Sequence, residues 1–181
     1  MIRRKSLAVF LAVVVVFAMA CNAATVQAYI NLAVQIALQV AQLAGLPASS
    51  ANVVSGDLTQ AETLYNSLAT ADAAAKPGIV TQIDAVLTTA EADMQGIFTL
   101  GHIASPALQG TIRAALAIGI TAIESVRTIM TGSSTPANPV TAVARVALPR
   151  GVVPEKARMS PKQLKDLYNS TMAAYPQAKI K

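Results

Sequence analysis

Side-chain catalysis needs a nucleophile, a base and a group that orients the base, and this 181-residue chain has one histidine, His102, and one cysteine, Cys21. His102 stands in LGHIASP, and Ser105, three residues on, is explained by capping the helix that follows. His102 therefore reads as a hydrogen-bonder between helices rather than a general base. One His and one Cys cannot hold zinc without several carboxylates, and no run of spaced acids makes a calcium loop. Among the carboxylates, Glu91 and Asp93 are two apart and point to different sides of a helix. Asp84 and Glu91, seven apart, share a face at about 10.5 Å along the axis. These acids read as solvated surface charge. Neither GxGxxG nor GxxxxGK[ST] occurs, so no nucleotide fingerprint is present. The expectation is a protein without catalysis, metal or cofactor.

Cys21 is more informative for where it stands. Arg3, Arg4 and Lys5 precede an unbroken apolar run from Leu7 to Ala20, and Cys21-Asn22 ends it. A basic start, a short apolar stretch and a small-x-small end is the layout of a secretory signal peptide. The run would span about 21 Å as a helix, short of the roughly 30 Å hydrocarbon core. Ala18-Met19-Ala20-Cys21 resembles the lipobox of bacterial lipoproteins, with Ala18 where that pattern most often has leucine. The resemblance covers residues 1–22 and implies cleavage between Ala20 and Cys21, with the Cys21 thiolate taking a diacylglycerol. It also implies acyl chains such as palmitate in a membrane, and Asn22 in place of aspartate leans towards an outer membrane. Two other readings stay open. Ala18-x-Ala20 or Val26-Gln27-Ala28 could be an ordinary cleavage site of a secreted protein, or the segment could remain as an uncleaved anchor.

Charge divides the remainder. From Cys21 to Val140 three cations stand against seven anions, a net −4. From Thr141 to Lys181 eight cations stand against Glu155 and Asp166, a net +6. A basic tail on an acidic body can seek anionic lipid, another anionic polymer or the body itself. Lys156, Arg158, Lys162 and Lys165 are the candidate contacts with a polyanion or membrane surface. An exported chain makes nucleic acid an unsuitable partner, and no aromatic RNA-binding pattern accompanies the cations.

Abundant Ala, Leu, Ile and Val with no Trp predict an all-α fold packed through small side chains. The elements expected are about four bundled helices after the signal peptide, then a proline-rich basic tail with one short helix. The first runs from about Ala24 to Ala44, stopped by Gly45-Leu46-Pro47, with Gln27, Asn31, Gln35, Gln39 and Gln42 as a narrow amide stripe. The second runs from near Ser50 to Ala75, with Val54, Leu58, Ala61 and Leu68 inward. The third follows Pro77 to about Leu100, and the fourth extends from Pro106 to Thr131, started by Ser105-Pro106 and closed by Gly132. Ala115 and Gly119 would let a neighbouring helix approach closely, and Glu124 with Arg127 reads as a surface pair. Ser160-Pro161 starts a last helix to about Ala174, with Leu164, Leu167, Tyr168 and Met172 on one face. Asn169-Ser170-Thr171 also matches a glycosylation sequon. The divisions are 1–20 signal peptide, 21–132 helical bundle, 133–159 linker, and 160–181 basic helix and tail.

These readings converge on a lipid-anchored envelope protein with a binding or scaffolding role. Two rivals stand beside it. One is a pore-like or holin-like membrane-embedded oligomer with the first helix uncleaved and the amide stripe as a polar lining. The other is a soluble secreted bundle carrying a small apolar ligand.

Overall fold

A computed structural model of the chain describes residues 2–101, 103, 105–132 and 159–181, with side chains from Ala23 onward. The described residues are helical with no strand: α1 (Ile2–Leu43), α2 (Ser49–Leu68), α3 (Lys76–Leu100), α4 (Pro106–Thr131) and α5 (Pro161–Thr171). A short 3-10 turn (Pro176–Ala178) follows α5.

α1 is one unbroken helix of 42 residues, where the sequence reading began a separate helix at Ala24. No glycine or proline occurs before Gly45, so nothing in the backbone breaks the helix between apolar run and body. It ends at Gly45, whose φ of 71° suits a residue without Cβ. Gly45 N donates to Gln42 O at 3.1 Å and Leu46 N to Ala41 O at 2.8 Å, which satisfies two terminal carbonyls in a Schellman cap.

α2 stops at Leu68, short of the expected Ala75. Asp72 is the cause: its Oδ1 accepts from Ala75 N at 2.8 Å. The short side chain competes with helical hydrogen bonding and turns the chain into α3. α4 begins and ends as its sequence dictates. Ser105 accepts from Leu108 N, Pro106 takes the first helical position, and Gly132 adopts the left-handed conformation at φ 71°. At α5, Ser160 and Gln163 form a reciprocal capping box, leaving fewer orphan N–H groups at the start of a short helix. α5 ends at Thr171 rather than Ala174, because the chain then turns to bury Ala178 and Ile180.

The helices share one apolar core. α1 contributes Val26, Tyr29, Ala33, Ile36 and Val40; α2 adds Val54 and Leu58; α3 adds Leu87 and Met94. Ile118 and Ile123 come from α4, and Leu164 and Tyr168 from α5. Gly119 marks a close crossing: a Cβ there would stand 3.1 Å from Met94 Cε and 3.2 Å from Ile36 Cγ2. Its missing side chain lets α4 lie close to both α1 and α3, as the small-residue spacing predicted. The amide stripe lies at the rim, with Asn31, Gln35 and Gln42 exposed and Gln27 and Gln39 half-buried.

Specific contacts fix which ends of the helices meet. The Gln27 amide of α1 faces the Glu62 carboxylate of α2. A Cβ on Gly101, just after α3, would stand 2.9 Å from Ala44 Cβ, just after α1. Arg127 near the end of α4 reaches Asp84 and Thr88 near the start of α3. Successive helices therefore alternate in direction. Among the described residues, two segments are long and apolar enough to cross a membrane, Ala23–Leu43 and Pro106–Thr131. Of the apolar window in α4, 67% is buried inside the fold, and a core helix of a soluble protein looks the same.

Candidate functional site

Two places in the molecule concentrate unusual side chains. The first is the end of the body nearest Cys21. The helix passes through Ala20 and Cys21 without interruption, and among the residues with described side chains the packed core begins at Val26, five residues after Cys21. Five helical residues rise only about 7.5 Å, so Cys21 is joined to the body by about one and a half turns of helix. Tyr29 is buried, and its hydroxyl donates to Met159 O at 2.6 Å. The chain therefore re-enters the described structure beside the start of the core. Gly132, where α4 ends, lies towards the same end, because α4 runs opposite to α1 and crosses it at Gly119 and Ile36. Both flanks of the segment 133–158 are thus tied to the end of the body next to Cys21. That segment carries Arg145, Arg150, Lys156 and Arg158 against Glu155.

Of the four cations expected to meet a polyanion, Lys156 and Arg158 lie outside the described residues. Lys162 and Lys165 are on α5, and both have partners within the chain. Lys162 Nζ pairs with Asp166 Oδ2 at 2.7 Å on the exposed side. Lys165 Nζ donates to Lys181 O at 2.7 Å. α5 docks on α4 and α1 through its buried Leu164 and Tyr168. The last residues fold back over it: Tyr168 Oη donates to Ala178 O at 3.0 Å. Asn169 Nδ2 donates to Ile180 O at 3.0 Å while its Oδ1 accepts from Ile180 N at 2.9 Å. The sequon asparagine thus works as a backbone clamp.

The second place is a buried charge cluster, which the sequence reading missed. Arg127 is 1% exposed, and Glu91 is fully buried. Arg127 Nη1 lies 2.8 Å from Glu91 Oε1, and Nε lies 2.9 Å from Asp84 Oδ1. Arg127 Nη2 donates to Thr88 Oγ1 at 3.1 Å. The expected surface pairing of Glu124 with Arg127 is therefore corrected: the guanidinium turns inward to carboxylates on α3. Most of α4 is apolar and buried, so a charged residue on its inner side, Arg127, is stable only where a neighbouring helix supplies counter-charge. Asp84 and Glu91 do share a face, as their spacing implied; Glu91 is buried against α4 rather than solvated, while Asp84, 46% exposed, still meets water as it pairs with Arg127. Asp93 points the other way, to Asp57 of α2.

The electrostatics follow from this placement. Burial pushes the Glu91 carboxyl up to about 7; Arg127 opposes the rise, while Glu124 and Asp84 add to it. Asp57 is pushed up to about 6, first by burial and then by its hydrogen bond with Asp93 and the charge there. Chemically the cluster can hold and release protons. Among the described residues, no group of three or more His, Cys, Asp or Glu is placed to hold a metal ion. His102 lies outside the described residues. At the far end, the Arg113 guanidinium sits 4.5 Å over the Phe98 ring, a contact that holds α4 to α3.

No protein-family model, no curated protein and no solved structure matches the chain.

Proposed function

We propose that this protein is a lipid-anchored component of a bacterial cell envelope, held through acylated Cys21, that acts by binding or scaffolding and not by catalysis. In this reading residues 1–20 are a signal peptide and residues 21–132 form the helical bundle. The observation that carries it is the layout of one end of the body. Cys21 stands about one and a half helical turns before the core residue Val26, and Gly132 and Met159, which flank the basic segment in sequence, lie towards the same end. An anchor so close to the body holds that end against the lipid surface. A cation of 133–158 that meets an anionic headgroup there contributes about 1 kcal/mol. Each acyl methylene buried contributes about 0.8 kcal/mol, so two or three chains hold the protein firmly.

The test is labelling of the native host with an alkyne analogue of palmitate. Wild type takes up label, and Cys21→Ser takes up none. Equal labelling of both proteins, or none of either, contradicts the anchor.

A second reading is favoured by one observation: α1 runs without a break from Ile2 to Leu43. An uncleaved α1 would cross the membrane through its first half, leaving the body on its surface, or assemble into a pore-like oligomer. Arg127 and its carboxylate partners oppose burying α4 in lipid, because charges there are costly.

A further inference from the structure

The outward face of α1 carries a pattern that packing within the bundle does not require. Ala24, Ala28, Asn31, Gln35 and Gln42 are exposed there, and Leu38 is half-buried. Ala28, Gln35 and Gln42 recur every seven residues, and so do Ala24, Asn31 and Leu38. Interleaved, the two sets have the alternating steps of three and four that mark a coiled-coil seam. At 3.6 residues per turn they fall within about 40° of one line along the helix. Val26, Ile30, Ala33, Ile36, Ala37 and Val40 are buried on the opposite side.

We propose that this stripe is a seam on which α1 pairs with α1 of a second copy of the chain, parallel and in register. The chemistry of the stripe selects that partner. α1 has no charged residue from Ala23 to Leu43, so two identical stripes meet without like-charge repulsion. Each Asn or Gln amide both donates and accepts, so the same amide on a second copy is a matching partner. Polar residues at seam positions specify register and the number of strands, at a cost in stability. The small Ala24 and Ala28 let the two helices approach closely at the end nearest Cys21. A two-fold pair uses both stripes completely, so assembly stops at two copies.

The size of the seam says where it operates. A strip about 27 Å long on a helix about 10 Å across covers less than the roughly 800 Å² per partner of a stable soluble interface. Such a contact holds where copies are concentrated and already aligned. This step rests on the proposed Cys21 anchor, which puts the same end of every copy at the lipid and favours parallel pairing. Confinement to one surface also raises the effective concentration of one copy around another.

The experiment is energy transfer between donor-labelled and acceptor-labelled copies of the full chain. The protein is purified from its native host and placed in phosphatidylcholine vesicles at a fixed, low protein-to-lipid ratio. Wild type is expected to transfer above the level set by random proximity. Gln35→Lys sets two ammonium groups face to face and Gln35→Glu two carboxylates, and each alone should weaken pairing about tenfold or more. A mixture of the two variants, one carrying the donor and the other the acceptor, is expected to restore transfer, which a merely structural role of Gln35 would not do. Asn31→Lys with Asn31→Glu should repeat the pattern, and Thr63→Lys, exposed on α2, should transfer like wild type. Random-level transfer in wild type overturns the seam, as does undiminished transfer in Gln35→Lys or a mixture that does not recover. Seam and anchor fail separately. The charge-swap pattern in protein that takes up no palmitate label supports the seam and removes the anchor, whereas labelled protein without pairing removes the seam and leaves the anchor.

Discussion

Arg127 is the residue whose removal should be felt most. Its guanidinium pairs with the fully buried Glu91 and with Asp84, whose side chain is 46% exposed, and donates to the half-buried Thr88. Breaking a buried pair from one side leaves the other charge stranded, at a cost of about 3–5 kcal/mol. Urea unfolding of Arg127→Ala should show a loss of that order. Glu91→Gln should behave differently, since an amide mimics the protonated acid that burial favours. Wild-type stability is expected to fall by on the order of 2 kcal/mol from pH 5 to pH 8.5, and the Gln variant should lose less than half of that. Equal pH profiles from thermal melts would contradict the account of Glu91. This cluster was only half legible beforehand. The seven-residue spacing of Asp84 and Glu91 places them on one face, but nothing local says which helix covers it. Arg127 had a ready local explanation in Glu124, and its partners lie some forty residues away in sequence.

At the scale of elements, legibility was better where the determinants are local. Gly45, Ser105-Pro106, Gly132 and Ser160-Pro161 all act at the helix ends predicted, because caps depend on a few adjacent backbone groups. The ends of α2 and α5 were missed for the opposite reason. Asp72 turns the chain before the apolar pattern runs out, and α5 stops early because Asn169 and Tyr168 hold residues 178–180 by contacts ten and eleven positions apart. Asn169→Ala deletes two hydrogen bonds to Ile180, each contributing about 0.5–1.5 kcal/mol. Faster proteolysis at the C-terminus, with α1–α4 still protected, is the expected outcome. Gly119→Val adds atoms where Ile36 and Met94 already crowd the backbone, and overpacking should cost about 1–3 kcal/mol in urea unfolding. An unchanged midpoint would mean that α4 is not closely packed there.

For the whole molecule, the proposed anchor and the two flanks of the basic segment share one end of the body. Cys21, Gly132 and Met159 lie towards one end of the body, and the outward amide stripe of α1 runs up the side. Lys156→Gln with Arg158→Gln should weaken partition onto anionic vesicles at low salt about tenfold, with screening reducing the effect at high salt. Lys162→Gln with Lys165→Gln should change partition little, because Asp166 and the Lys181 carbonyl already hold those ammonium groups. Equal effects of the two pairs would place the lipid contact on α5 instead. The most direct measurement is the intact mass of the protein purified from membranes of its native host. The account predicts the mass of residues 21–181 plus two or three acyl chains. The unmodified mass of the full 181-residue chain, or of a chain starting at Cys21 without lipid, would contradict it.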